Sequence, residues 1–133
     1  MPDGDKGHYP YQAAIDAYGD GGFRFADMSH RGSLLCLPTG MHAWDIATPS
    51  ALTIGALEPV LALADDLDVL FIGLGEDIAP LAPAIRETFR AQNVIVEAIS
   101  TGSAISTYNV LFGEKRAVAA ALIAVERPSR VRS

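Results

Sequence analysis

Apolar and polar positions along this chain follow two different rhythms. Up to about residue 46 the apolar residues form short runs between glycine-rich turns. Phe23 and Phe25 flank Arg24 just after Gly19-Asp20-Gly21-Gly22, and period-2 alternation beside a glycine cluster predicts a hairpin. A loop is expected over 26–32. Ser33-Leu34-Leu35-Cys36-Leu37 then reads as a short buried strand, Pro38-Thr39-Gly40 as a turn, and 41–46 as the returning strand. This first third predicts an antiparallel β-meander.

From residue 50 the pattern becomes alternating strand and helix. Pro59 can open only a short helix, and Leu67-Asp68-Val69-Leu70-Phe71-Ile72 reads as a buried strand closed by Gly73. Over 80–91, Leu81, Ala84, Ile85, Thr88 and Phe89 recur at helical spacing, with Pro80 and Pro83 placed in the first turn and Asn93 as the stop. Val94-Ile95-Val96 follows as a strand. In the last unit Thr101 is the expected cap of a helix whose stripe is Ala104, Ile105, Tyr108, Leu111 and Phe112, ended by Gly113 in the left-handed conformation. The nine apolar residues of 117–125 fit only a strand covered on both faces. The fold expected is α/β: a three-layer mixed sheet built from β-α-β-α-β, with the N-terminal antiparallel β-meander attached.

Composition agrees with one packed domain. The 133 residues are half hydrophobic and one-fifth charged, enough to build a core and too apolar for disorder. A single domain over 1–133 is expected, ordered from about 10 to 126, with 1–9 and the basic 127–133 flexible. Sixteen acidic against ten basic residues leave a net charge of −6, which argues against a nucleic-acid partner. The first residues resemble neither a secretory signal nor a transit peptide, and no apolar stretch is long enough to span a bilayer. A cytoplasmic protein without direct membrane insertion, monomeric by default, is expected.

Candidate chemistry is sparse. Cys36 is the one cysteine, so no intrachain disulfide is possible. His30, Cys36 and His42, six residues apart, invite a metal reading with Asp27 or Asp45 as a further ligand, but Cys36 lies within an apolar run where cysteine behaves as a small hydrophobe. Asp27, Ser29 and His30 carry the residue types of a nucleophile triad, yet such residues also shape turns. Gly73-Leu74-Gly75 follows a strand, where phosphate-binding loops sit, but Glu76 and Asp77 would repel a phosphate. No cofactor, metal or catalytic residue is assigned. The densest polar cluster is Thr107, Tyr108, Asn109, Glu114 and Arg116, either a fastening of the turn after the helix or a patch at the sheet edge. Trp44, beside His42 and Asp45, is either a core aromatic or an exposed anchor.

The run from Ala104 to Ile123, with its Thr107-Tyr108-Asn109-x-Leu111-x-x-Glu114-x-Arg116 segment, resembles the signature of a small single-domain family. Gly32-Ser33-Leu34-Leu35-Cys36-Leu37-Pro38 followed by Trp44, and Leu70-Phe71-Ile72-Gly73-Leu74-Gly75, agree with it. That family contains bacterial and archaeal members of unknown function, a mitochondrial assembly factor for respiratory complex I, and an adipogenesis-associated vertebrate protein. The resemblance implies a three-layer α/β fold and no catalytic residues. It marks Thr107, Tyr108, Asn109, Glu114, Arg116, Gly73 and Gly75, with Trp44 beside them, as the candidate functional patch. Leu74 departs from the small polar residue expected between the two glycines. The function expected is a non-enzymatic accessory protein that binds subunits of a membrane-associated respiratory complex. The alternative is a small-molecule or enzymatic site between the Gly73–Gly75 turn and Asn109.

Overall fold

A computed structural model describes residues 9–77 and 79–127 and the backbone of residues 129 and 130. Among the described residues nine strands fall into two sheets. The larger is built from β4 (Ser33–Leu37), β5 (Gly40–Trp44), β6 (Val69–Gly73), β7 (Ile95–Ile99) and β8 (Val118–Leu122), in the order β5-β4-β8-β6-β7. The smaller holds β1 (Ala17–Gly19), β2 (Gly22–Phe25), β3 (Met28–Arg31) and β9 (Ser129–Arg130), in the order β3-β2-β1-β9. The helices are α1 (Glu58–Leu61), α2 (Pro83–Arg90) and α3 (Thr101–Gly113).

The expected β-α-β-α-β order is present as β6-α2-β7-α3-β8, with β6 parallel to both β7 and β8. β8 is the centre of the sheet: it runs parallel to β6 on one side and antiparallel to β4 on the other. Every residue of β8 is buried, as its unbroken apolar run demands. Alternation splits its side chains between two cores. Ala119 and Ala121 join Leu70, Ile72, Val96, Ile85 and Phe89 under α2, while Val118, Ala120 and Leu122 join Phe71, Cys36, Ile105, Tyr108, Phe23 and Phe25 under α3 and the small sheet. The layers are therefore helix, sheet, then α3 beside the small sheet.

The meander is divided between the two sheets. β1-β2-β3 forms it in the small sheet, whereas β4 and β5 make a hairpin that joins the large sheet through β8. Gly32, at φ 94°, turns the chain between them and donates to Gly21 O at 2.6 Å. Two-residue turns link β1 to β2 (Asp20 φ 52°, Gly21 φ 77°) and β2 to β3 (Ala26 φ 48°, Asp27 φ 62°). Positive φ at both central residues is the turn whose twist matches a hairpin. The second turn corrects the loop expected over 26–32: Met28–Arg31 is a strand, missed because Ala-Asp is a poor advertisement for such a turn. Of the tail, Ser129 and Arg130 pair with β1, and Tyr9 at the other end exchanges hydrogen bonds of 2.9 Å with Met41.

Helix boundaries also differ. α2 begins at Pro83 rather than Pro80, so Ala84 is exposed and the buried contacts are Ile85 and Phe89. Ser100, not Thr101, caps α3, its hydroxyl accepting from Ser103 N at 3.3 Å. At the other end Gly113 stays helical and Lys115 takes the left-handed conformation, φ 63°. Lys115 N donates to Phe112 O at 2.9 Å and Arg116 N to Leu111 O at 3.0 Å, the paired bonds of a Schellman ending. A β-carbon strains that conformation, and Lys115 is exposed. Replacing Lys115 with Gly should therefore stabilise the fold by roughly 0.5–1 kcal/mol, net of the freedom glycine adds to the unfolded chain. Urea unfolding of Lys115→Gly beside the parent chain checks this, and a variant no more stable would refute it.

Candidate functional site

α3 organises the region that the sequence singles out. Its first residue, Thr101, is fully buried, and the hydroxyl is used in both directions. Oγ1 donates to Ile123 O at 2.7 Å and accepts from Gly75 N at 3.0 Å. The backbone of the glycine turn is committed around it: Thr101 N donates to Gly75 O, Leu74 N to Ile99 O, and Ile123 N to Gly73 O, all within 2.8–2.9 Å. This one corner ties the ends of β6, β7 and β8 to the start of α3. Gly73 is required by proximity, since a β-carbon there would lie 2.8 Å from Thr101 Cα and 2.9 Å from its Oγ1. Gly75 is required by conformation, φ 105°. The N–H groups of Leu74, Gly75 and Thr101, which a phosphate at this turn would use, are spent inside the protein. Leu74, 2% exposed, packs into the core under α2, which accounts for an apolar residue between the glycines.

Two turns further along, Tyr108 and Asn109 hold the incoming N-terminal segment. Tyr108 is fully buried, stacks on Phe112 with ring centroids 5.8 Å apart, and donates its hydroxyl to Ala13 O at 2.7 Å. Asn109 mimics a strand neighbour: Nδ2 donates to Ile15 O at 2.8 Å and Oδ1 accepts from Ile15 N at 2.9 Å. Tyr18, from β1, lies over the start of the same helix, so close that a β-carbon on Gly102 would sit 2.4 Å from its hydroxyl oxygen. The sequence offered no sign of Ala13, Ile15 or Tyr18 as partners, because the contacts span some 90 residues and two are made by backbone.

The motif therefore divides. Tyr108 and Asn109 face inward and hold backbone groups of the N-terminal segment, whereas Thr107, Val110 and Glu114 lie on one outward stripe at i, i+3 and i+7, all exposed. Arg116 is exposed just beyond. Glu114 and Arg116 form no ion pair among the described residues; what fastens this turn is backbone bonding. Gly73 and Gly75 sit at the first turn of α3 and Asn109 eight residues on, about 12 Å along the axis. The Gly73–Gly75 turn and Asn109 thus do not converge on one cleft. Trp44 is a core aromatic, 8% exposed, donating Nε1–H to Ala56 O at 2.8 Å.

The sheet pleat separates the remaining candidates. Cys36 belongs to the core under α3, whereas His42 stands opposite Leu35, whose side chain lies in the core on the other face. His30 bonds the Ser33 carbonyl at 2.9 Å and is buried, while neighbouring Ser29 is exposed on the opposite face of β3. Burial drives the Cys36 thiol far above its ordinary range and does the same to the Tyr108 hydroxyl beside it. Among the described residues no group of three His, Cys, Asp or Glu is placed to hold a metal ion, and no helix is long and apolar enough to cross a membrane.

The chain belongs to the family described as Protein of unknown function (DUF498/DUF598), which matches residues 15–123. Those limits are meaningful in the structure: Ile15 is the residue clasped by Asn109, and Ile123 carries the carbonyl held by Thr101. An uncharacterised protein of Rhodobacter capsulatus is 39% identical over 109 residues, 82% of each chain. NADH dehydrogenase (ubiquinone) 1 alpha subcomplex assembly factor 3 of Xenopus tropicalis is 28% identical over 109 residues, and the match spans 82% of this chain but 60% of the frog protein. A crystal structure described as an outer membrane protein from Bartonella henselae shares 46% identity and a TM-score of 0.85, over 90% of this chain and 100% of that one.

Two outcomes follow from the corner and the buried thiol. Thr101→Val keeps the shape but orphans Gly75 N and one acceptor bond, and should cost about 2–3 kcal/mol in urea unfolding. Thr101→Ser keeps the hydroxyl and should cost only about 1 kcal/mol for the lost methyl. The opposite ranking would show that packing, not the hydroxyl, matters. Cys36 should resist an aromatic disulfide reagent at pH 8 in the folded protein and react fully in denaturant; fast labelling of the folded form would contradict its placement.

Proposed function

We propose that this protein is a non-enzymatic accessory factor that binds polypeptide subunits of a membrane-associated respiratory complex during assembly, from the cytoplasmic compartment. The observation that carries the reading is the division of the motif. Half of the motif is spent on holding α3 in place, and the other half is left as an outward stripe of mixed character. Such a stripe suits recognition of another protein, since Val110 at 59% exposed supplies apolar area beside the hydroxyl of Thr107 and the charges of Glu114 and Arg116. The naming of several relatives as a complex I assembly factor supports the same role. The small-molecule reading draws less support, because the groups it would use are committed to the fold.

Affinity capture of the tagged chain from detergent-solubilised cells tests this, with mass spectrometry of the eluate and parallel fractionation of the cells. The expected result is respiratory-complex subunits recovered with a protein that fractionates with the cytoplasm. Val110→Glu combined with Glu114→Lys should lower that recovery at least about tenfold while leaving the melting temperature unchanged, because both positions are exposed. Subunit recovery insensitive to these changes would dismiss the α3 stripe. An eluate without such subunits would dismiss the role itself, and recovery in the outer-membrane fraction, as the Bartonella protein's description suggests for that relative, would dismiss the compartment.

A further inference from the structure

The outer face of the small sheet forms a second surface, separate from α3. Side chains alternate along β2 and β3: Phe23, Phe25 and His30 are buried, while Arg24, Ser29 and Arg31 are exposed. Register arranges the exposed face in two cross-strand rows. Ala17, Arg24 and Ser29 form one, and Gly19, Gly22 and Arg31 the next. Small residues between long cationic ones leave a trough of about 660 Å³ along this face. Its floor cannot be filled by substitution at Gly22, where a β-carbon would lie 2.1 Å from His30 O. Arg24 Nη1 donates to Ser29 Oγ at 3.1 Å, which holds that guanidinium across the strands.

Charge identifies the occupant. In a protein of net charge −6, this face gathers Arg24 and Arg31, and among the described residues neither has a carboxylate partner. Asp20, in the turn at one end, is the acid of the lining. Guanidinium groups of this kind favour carboxylates that each can hold through two parallel hydrogen bonds. Adjacent rows along a strand lie roughly 6.8 Å apart, the same interval at which an extended peptide repeats side chains on one side. A concave surface does not lie against a planar bilayer, and the net negative charge repels a long nucleic acid. We infer that this trough receives an extended acidic segment of a partner protein, with carboxylates at alternate positions that pair with Arg24 and Arg31.

The test uses the purified chain and a fluorescein-labelled decapeptide of alternating Glu and Thr, followed by fluorescence anisotropy. Saturable binding is expected, weakened at least about tenfold by Arg24→Gln with Arg31→Gln and by raising salt from 0.05 to about 0.5 M. Asp20→Asn should tighten it. A peptide with Lys in place of Glu should not bind. Because both arginines are exposed, the double variant should keep the parent melting temperature; if it does not, the Arg31→Gln single variant carries the comparison. No saturable binding, equal binding by the double variant or by the Lys peptide, or displacement of the acidic peptide by anionic vesicles or a short DNA duplex at lower concentration would each overturn the inference. None of these residues lies on α3, so peptide binding without subunit capture, or the reverse, separates this inference from the proposed role.

Discussion

The structure depends on one hydroxyl group. Thr101 Oγ1 is buried where three strand ends and a helix start meet, and it satisfies both the Gly75 N–H and the Ile123 carbonyl. A buried polar atom left unsatisfied costs far more than a satisfied one gains, so the corner is all or nothing. Gly73 must lack a side chain to admit Thr101, Gly75 must take a positive φ to aim its N–H, and Ile123 must end its strand at the right height. Residues far apart in the chain are thereby bound to one geometric requirement.

That requirement explains how much of the molecule could be read beforehand. The α/β alternation, the buried central strand and the stripe of α3 follow from periodicity, because a face that must be buried repeats at 2 or 3.6 residues. Boundaries set by single tertiary contacts did not follow. Thr101 has the composition of a cap, and only the neighbouring strand ends make it a core residue. Gly113 is the residue a helix end favours by propensity, yet the Schellman bonds close at Lys115, where packing of Leu111 and Phe112 sets the length. β3 was invisible because Ser29, His30 and Arg31 lack an apolar alternation; its partner β2 supplies the buried side chains.

The 107–116 part of the candidate patch is one continuous segment in the sequence, and the structure divides it into an inward and an outward part. Adjacent residues such as Thr107 and Tyr108 differ by about 100° around the helix, so a contiguous motif necessarily serves two surroundings at once. Tyr108 and Asn109 account for their residue types by what they hold: a phenol long enough to reach Ala13, and an amide able to donate and accept at Ile15. Thr107, Glu114 and Arg116 are exposed instead, the Thr107 hydroxyl donating back along the helix to Ser103 O at 3.3 Å.

The position of β8 has a consequence for how the chain is made. Synthesis delivers β4, β5, β6 and β7 first, yet none of the first pair bonds to any of the second; Val118–Leu122 is the strand that both sides require. Until it arrives, the inner edges of β4 and β6 present open rows of N–H and C=O groups with apolar side chains exposed beside them. The growing polypeptide therefore carries two half-sheets whose open edges can pair with other chains until β8 joins them. A protein built this way is most vulnerable to misassociation on the ribosome, before its central strand has been translated.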